Sequence, residues 1–235
     1  MIKINDLCFS WKNTPVINIE KLHVAAGQHL FIEGPSGSGK STLLNLLAGV
    51  LTPQQGKISI LGQSLNQLSN SQKDVFRADN IGFIFQQFNL IPYLSVIDNI
   101  TLPCSFSKKR KAKTLSRTDN LNSDLKGEAI RLLNALGLDD ESLFKRSVNE
   151  LSVGQQQRVA AARAMLGSPE IIIADEPTSA LDIENRESFI NTLFSECKKE
   201  SITLIFVSHD TSLKAHFEHC INLQDINNVN RKESL

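Results

Sequence analysis

The chain has 235 residues, 41% of them hydrophobic, with 25 basic and 25 acidic side chains, which is ordinary for one α/β domain with a sizeable core. The balanced charge gives no basic excess that would point to nucleic acid as a partner. The longest apolar runs have the length of a strand, well short of the roughly 20 residues of a membrane-spanning helix. No secretory signal is predicted at the start, and four scattered cysteines fit a reducing, cytoplasmic location.

The first third of the chain is predicted to form short strands. Residues 1–11, 16–24 and 28–34 are apolar runs separated by turn residues, and we predict that they form antiparallel strands. Two further short strands are predicted at 56–61 and 81–86.

The middle of the chain changes character. Residues 87–154 are predicted to form helices and loops. Apolar strands are predicted again in IIIAD, which ends at Asp175, and in TLIFVSH, which ends at His209. Strands separated by helices predict a parallel sheet, so we interpret the helical middle as an insertion into an α/β core. The polar end of the chain, 225–235, is predicted to be a frayed tail.

One segment within the middle departs from the rest in composition. Residues 108–127, KKRKAKTLSRTDNLNSDLKG, carry a basic cluster and then several Ser, Thr, Asn and Asp residues. This pattern predicts a long mobile loop in front of a helix at 128–136. A solvated flexible insert is the favoured interpretation, and contact with anionic lipid headgroups or with nucleic acid are the alternatives.

The stretch GPSGSGKST carries the clearest chemical signal in the sequence. It follows a predicted strand and precedes a predicted helix, and it matches the phosphate-binding P-loop pattern G-x-x-x-x-G-K-[ST]. Glycines let backbone N–H groups close around phosphate oxygens, the lysine reaches the β- and γ-phosphates, and the serine hydroxyl coordinates Mg²⁺. The predicted nucleotide-binding residues are Gly34, Pro35, Ser36, Gly37, Ser38, Gly39, Lys40, Ser41 and Thr42.

A pair of carboxylates ends the strand IIIAD. Asp175 is predicted to lie at the carboxyl edge of the sheet, where open α/β folds bind ligands, and to hold Mg²⁺. Glu176 follows it and is placed to polarise a water molecule against the γ-phosphate of ATP. We therefore predict hydrolysis of ATP rather than binding alone.

A second Gly/Ser turn opens a helix far along the chain, in LSVGQQQR at 151–158. A helix N-terminus with a small polar residue and a glycine is a potential anion site. One nucleotide does not need two such sites from the same polypeptide, so the stretch requires a separate explanation.

Four motifs in this order, GPSGSGKST, LSVGQQQR, IIIADEPTSALD and VSHD, resemble those of the ATP-binding subunits of ABC transporters, over nearly the whole chain. The resemblance implies an α/β P-loop NTPase with a RecA-like parallel-sheet core, an N-terminal antiparallel β-subdomain and an inserted α-helical subdomain. Within a single domain spanning 1–235, we place the ATPase core at 1–86 and 158–224. The helical subdomain is placed at 87–157, with a basic loop at 104–127.

The resemblance also implies a role for the second anion site. In this family the signature sequence binds the γ-phosphate of ATP held by a second subunit, so two chains are expected to enclose two ATP molecules head to tail. Ser152, Gly154 and Gln155 take the signature roles. Val153 stands where glycine is usual, and its side chain is harmless if the backbone φ is negative, which we expect.

Further roles follow position by position from the resemblance. Gln86 resembles the glutamine that contacts Mg²⁺ or the attacking water, and His209 resembles the histidine that contacts the γ-phosphate. Residues 179–182, SALD, resemble the loop that crosses the dimer interface. Trp11 falls where the family places an aromatic ring against adenine, a contact worth on the order of 1–3 kcal/mol.

The segment 83–100 is similar to the corresponding stretch in the lipoprotein-releasing and macrolide-export ATPases. These work with integral membrane permeases of the cell-division type, so we expect a peripheral protein on the cytoplasmic face of the inner membrane. The insert at 108–127 departs from that group and leaves the cargo open. A groove for a short permease helix is predicted at Phe88, Leu90, Ile91 and Tyr93.

Two other functions share the same motifs. A regulatory ATPase could signal through a permease-like protein without transporting anything, and only the identity of the permease and movement of cargo would distinguish it. An ATPase acting in translation or DNA repair is disfavoured, because the chain has neither a second cassette nor a long coiled-coil insertion.

Overall fold

The protein, represented by a computed structural model, is described for residues 1–116, 124–179 and 181–229. Its strands, in chain order, are β1 (Ile2–Trp11), β2 (Thr14–Val24), β3 (His29–Glu33), β4 (Gln55–Ile60), β5 (Gln63–Ser64), β6 (Ile81–Ile84), β7 (Ile171–Asp175), β8 (Thr203–Ser208) and β9 (His219–Asn222). Its α-helices are α1 (Lys40–Leu47), α2 (Asn70–Asn80), α3 (Val96–Thr101), α4 (Pro103–Phe106), α5 (Lys108–Ser116), α6 (Leu125–Ala135), α7 (Val153–Met165), α8 (Ile183–Lys199) and α9 (Leu223–Ile226).

The chain divides into two compact units. The first unit is Met1–Arg77 with Thr203–Leu235, and the second unit is Ala78–Ile202. The predicted partition into an ATPase core and a helical subdomain at 87–157 uses other boundaries and stays a prediction.

The first unit contains an antiparallel sheet in the order β2-β1-β4-β5, which confirms an N-terminal antiparallel subdomain. Alternate residues of β1, including Ile2 and Ile4, are buried, and they face Val24 of β2 and Ile58 and Ile60 of β4. The period of two in the sequence therefore sets which face of the sheet enters the core.

The prediction that the third strand is antiparallel is wrong. β3 pairs in parallel with β8 on one side and with β9 on the other, with Phe31 opposite Phe206 and Cys220. The physical reason lies in burial, because Leu30, Phe31 and Ile32 are buried in succession. A continuous apolar run is typical of a parallel strand with both faces covered.

The predicted frayed tail is also partly wrong. α9 reaches Ile226, and the side chain of Asn227 holds β2 by two hydrogen bonds. Its Oδ1 accepts from the backbone N–H of Asn18 at 2.8 Å, and its Nδ2 donates to the carbonyl of Val16 at 2.9 Å. These bonds order the chain at the start of the segment, whereas residues 230–235 lie outside the described residues.

The second unit pairs β6 with β7 in parallel and also contains helices α3 to α8. Helix α7 lies at its centre, with every residue from Val159 to Met165 buried, and it contacts β6, α3, α6 and α8. Throughout the described residues of both units, every helix is too short or too polar to span a membrane.

The prediction of a long loop at 104–127, with its basic part at 108–127, is wrong where the structure describes it. Helices α4 and α5 occupy most of 103–116, and α6 begins at Leu125, where the Asp124 side chain caps it by accepting from the Gly127 N–H at 2.7 Å. Residues 117–123 of the predicted loop lie outside the described residues.

Arg110 gives the physical reason for this order. Its side chain is 3% exposed, and its guanidinium donates to the carbonyls of Leu166 at 2.7 Å and Ala164 at 2.8 Å. These carbonyls end α7, where four backbone acceptors lack partners within the helix. Lys109 and Lys113 add ion pairs to Glu170 at 3.2 and 2.9 Å. The basic cluster is therefore partly an internal anchor.

Candidate active site

The P-loop connects β3 to α1 in the first unit. Gly39 is the N-cap of α1 with a left-handed backbone, φ 96°, and a Cβ there would lie 3.0 Å from the Ile17 side chain, so the position requires glycine. The N-terminus of α1 presents backbone N–H groups suited to phosphate. Lys40 folds back and donates to the carbonyls of Gly34 at 2.6 Å and Pro35 at 2.9 Å, so an incoming phosphate would replace these acceptors.

Trp11 lies beside the helix that follows the P-loop. Its indole N–H donates to the Thr42 hydroxyl at 3.4 Å, and its ring meets Phe9 edge-on with centroids 5.1 Å apart. The side chain is 52% exposed. The ring is thus fixed on one side and open to a ligand on the other, as an adenine platform requires.

His209 leaves the same edge of the sheet as the P-loop. β8 runs parallel to β3 with Ser208 opposite Glu33, so His209 and Gly34 are the next residues on neighbouring strands. His209 is exposed, and Asp210 beside it caps the following turn by accepting from the Ser212 N–H at 3.0 Å. The first unit therefore brings the P-loop and His209 together.

The second unit brings Gln86, Asp175 and Glu176 to one edge in the same way. β6 and β7 are parallel with Ile84 opposite Ala174, so Gln86 follows β6 at the edge where Asp175 ends β7 and Glu176 follows it. Gln86 is exposed and Asp175 is half-buried, whereas Glu176 is 8% exposed. The amide of Gln86 and the carboxylate of Asp175 offer oxygen donors, the type of ligand that suits Mg²⁺.

Glu176 has an unusual backbone. Its φ is +47°, in the left-handed region that non-glycine residues adopt rarely. The Ser179 N–H donates to its carbonyl at 3.2 Å and closes a turn immediately after the strand. Such conformations cost about 1 kcal/mol or more and cluster at functional sites.

The signature stretch begins α7 with a capping box. The Ser152 hydroxyl accepts from the Gln155 N–H at 3.3 Å, and the Gln155 amide oxygen accepts from the Ser152 N–H at 2.9 Å. Val153 is the first helical residue and has a negative φ, which confirms the expectation for this position. Gly154 follows it within the first turn.

Arg163, on the same helix, was not identified from the sequence. Its guanidinium donates to the carbonyls of Phe88 and Asn89, both at 2.6 Å, and burial lowers its pKa. Both acceptor residues have positive φ, +58° and +48°. A lone charge in the apolar run VAAARAM was the available signal. Arg163 holds the segment that follows Gln86.

The predicted permease groove needs one correction. Phe88 is 8% exposed and belongs to the core, and its carbonyl accepts a hydrogen bond from Arg163 of α7. Leu90 and Ile91 are half-buried, and Tyr93 is 84% exposed. The buried Asn99 side chain shapes this segment by bonding both the N–H and the carbonyl of Ile91, at 2.8 and 3.0 Å.

The fold and the two sets of polar residues define a P-loop ATPase. The sequence model of the family described as ABC transporter matches residues 17–179. Over 214 residues the chain is 38% identical to the uncharacterized ABC transporter ATP-binding protein MJ0796 of Methanocaldococcus jannaschii, covering 91% of this chain and 87% of that protein.

Two transport proteins with assigned names are similarly close. The chain is 38% identical over 210 residues to the spermidine/putrescine import ATP-binding protein PotA of Legionella pneumophila, covering 89% of this chain and 52% of PotA. It is 38% identical over 209 residues to the macrolide export ATP-binding/permease protein MacB of Mannheimia succiniciproducens, covering 89% of this chain and 30% of MacB.

A solved structure extends the match to three dimensions. The dimeric structure of MJ0796 in a post-hydrolysis state bound to ADP and Pi aligns with a TM-score of 0.81 and 34% identity, covering 94% of each chain. The protein belongs to the ABC transporter family as an ATP-binding cassette, and it is an ATPase of that type.

Proposed function

We propose that this ATPase powers an integral membrane permease of the lipoprotein-release or efflux type, as an ATP-sandwich homodimer on the cytoplasmic face of the inner membrane. The capped N-terminus of α7 at Ser152 carries the proposal. It is a second anion site in a chain that already has a P-loop, and a partner's nucleotide gives it a ligand. The dimeric MJ0796 structure supports this arrangement.

In this proposal the P-loop residues 34–42 bind the phosphates of ATP and Trp11 stacks on adenine. Within the loop, the buried hydroxyl of Ser38 meets no hydrogen-bond partner among the described residues, which supports a loop built to enclose another acceptor. Lys40 exchanges its two carbonyl acceptors for phosphate oxygens, and a lysine ammonium is well suited to this as a point charge.

Ser41, Gln86 and Asp175 would hold Mg²⁺, since all three offer oxygen ligands. When bound, the ion neutralises charge on the β- and γ-phosphates. Glu176 acts as the general base and accepts the proton of the water that attacks the γ-phosphorus. His209 contacts the γ-phosphate from the adjoining strand, next to the P-loop.

The permease contact is assigned to the segment after Gln86. Tyr93 is largely exposed beside the half-buried Leu90 and Ile91, which fits an amphipathic helix laid into an apolar groove. The similarity of 83–100 to the lipoprotein-releasing and macrolide-export ATPases favours an efflux-type permease. The identity to PotA equals that to MacB, so capture of the permease itself distinguishes an export partner from an import partner.

Glu176→Gln tests the hydrolytic and dimeric parts of the proposal. The variant should retain ATP binding, lose hydrolysis by roughly 10²–10⁴, and shift from monomer to dimer with Mg-ATP in size-exclusion chromatography with light scattering. Lys40→Ala should instead weaken binding of the nucleotide itself. Normal hydrolysis by Glu176→Gln would refute the assignment of the base. A permease captured on the Glu176→Gln dimer, and lost on Tyr93→Ala, would identify the transporter type.

A further inference from the structure

The three consecutive glutamines of the signature stretch make different contacts. Gln155 completes the capping box with Ser152, and the Gln156 amide donates to the carbonyl of Leu151 at 3.1 Å. The Gln157 amide instead donates to the carbonyl of Pro177, the residue immediately after Glu176. Of the three glutamines, the third is the one that, among the described residues, bonds α7 to the turn following Glu176.

Gln157 is buried in a manner that packing does not explain. Its side chain is 0% exposed, and within the described part of the chain no donor meets its Oε1 atom. Burying an unpaired amide oxygen is unfavourable, and an apolar side chain of the same length would avoid it. The hydrogen bond from Gln157 to the Pro177 carbonyl therefore offsets the cost of burying the amide oxygen.

Two neighbours of Gln157 on α7 contact the same segment. A Cβ at Gly154 would lie 3.5 Å from the Leu181 side chain, and Arg158 donates to the Asn185 side chain at 3.5 Å. Positions 154, 157 and 158 lie on one face of a helix because they are spaced three and four residues apart. That face of α7 is thus bonded to Pro177 and Asn185 and lies close to the Leu181 side chain.

We infer that Gln157 is a positioning residue that couples the two ATP sites of the dimer, an inference that rests on the proposed function. In a sandwich, Ser152 at the start of α7 binds the partner's nucleotide, whereas Glu176 acts on the chain's own. Gln157 lies less than about two helical turns from Ser152 and fixes the carbonyl that follows Glu176. Binding of phosphate at one site therefore aligns the base of the other.

Two substitutions test the bond without changing the size of the side chain much. Gln157→Met removes the donor, and Gln156→Met on the adjacent residue is the matched control. The single tryptophan, Trp11, reports ATP binding by its fluorescence. Gln157→Met should lower kcat about tenfold, with the ATP dissociation constant within twofold of wild type and, in the Glu176→Gln background, an unchanged ATP-dependent dimer. Gln156→Met should leave kcat within twofold of wild type.

Gln157→Glu supplies a readout that a purely structural role would not give. A buried carboxyl has a raised pKa and can donate to the Pro177 carbonyl only when it is protonated. The activity of Gln157→Glu relative to wild type should therefore rise as the assay pH is lowered from about 8 to about 6. A wild-type kcat for Gln157→Met, or equal loss of kcat and ATP affinity, would overturn the inference. Normal hydrolysis by Glu176→Gln would instead refute the proposed function.

Discussion

The guanidinium of Arg163 lies 2.6 Å from the carbonyl oxygen of Phe88, and this bond joins the signature helix to the segment that follows Gln86. A second bond of 2.6 Å reaches Asn89, so one side chain holds two successive residues in left-handed conformations. Such a conformation persists only where surrounding contacts impose it. We therefore expect Arg163 to fix the position of Gln86 by holding Phe88 and Asn89, which follow Gln86 in the chain.

Arg163→Met should destabilise the protein and slow hydrolysis. Removing the guanidinium leaves two carbonyls without their donor, and hydrogen bonds from charged groups contribute about 1.5–3 kcal/mol each to stability. We expect the free energy of unfolding in urea to fall by about 2–4 kcal/mol. Arg158→Met, on the same helix with one 3.5 Å bond, should lose less than about 1 kcal/mol and serves as the control. Equal losses for the two variants would contradict this role.

Arg110→Met tests the conclusion that the basic insert is an anchor. Burial lowers the pKa of Arg110 to about 10, so the side chain is still charged at neutral pH where it caps α7. Loss of this cap should reduce the free energy of unfolding by about 2–4 kcal/mol, measured in urea. Lys111→Met on the exposed side of the same helix should change it by less than about 0.5 kcal/mol. A flexible solvated insert would give two equally small effects.

The parts of the site that could be predicted from the sequence are those whose structure depends on residues next to one another in the chain. The P-loop needs glycine at Gly39 because of that residue's own backbone, and Ser152 caps a helix that begins at the next residue. The insert at 108–127 is different, because the carbonyls that accept hydrogen bonds from the buried Arg110 belong to Leu166 and Ala164, far along the chain. A hydrophobic period of two or 3.6 residues indicates local structure and not a distant contact. The basic stretch is therefore predicted from the sequence to be a loop.

The pairing of β3 was missed for a related reason. Its apolar run specifies that both faces are buried, yet the direction of its neighbours depends on β8 and β9, which come from the end of the chain. Gln157 and Arg163 were likewise recognisable only as polar residues on a buried helix face. Their partners at Pro177 and Phe88 lie in turns whose shape the sequence alone does not fix.

An ion network with two buried carboxylates joins α6 and α8 and gives a prediction of pH dependence. Arg131 donates to Glu128 at 2.9 Å and to Glu196 at 3.0 Å, and Lys199 bonds Glu196 at 2.5 Å. Burial alone would raise the pKa of Glu196, but the hydrogen bonds from Lys199 and Arg131 outweigh it and lower the pKa. The charged form of Glu196 is thus favoured by folding.

The sign of the effect follows from this lowered pKa. Stability from Glu196 is fully present above the ordinary glutamate pKa of about 4.3 and is lost as the pH falls through the lower value of the folded state. Glu196→Gln should therefore cost about 1–3 kcal/mol at pH 7, and the difference from wild type should shrink below about pH 4. Urea unfolding at several pH values measures this. Glu187→Gln, exposed on the same helix, is the control and should cost less than about 0.5 kcal/mol at pH 7.

Val153→Gly tests whether the valine weakens the ATP-dependent dimer that the signature stretch is proposed to form. Val153 begins α7 with a negative φ and is 49% exposed, so its side chain adds no backbone strain. Glycine there should lower the free energy of unfolding by less than about 1 kcal/mol, because it only adds freedom to the first turn. In the Glu176→Gln background, the ATP-dependent dimer should form at concentrations within about fivefold of those needed with valine, a difference below about 1 kcal/mol. A much tighter dimer with glycine would show instead that the exposed valine side chain obstructs the partner's nucleotide.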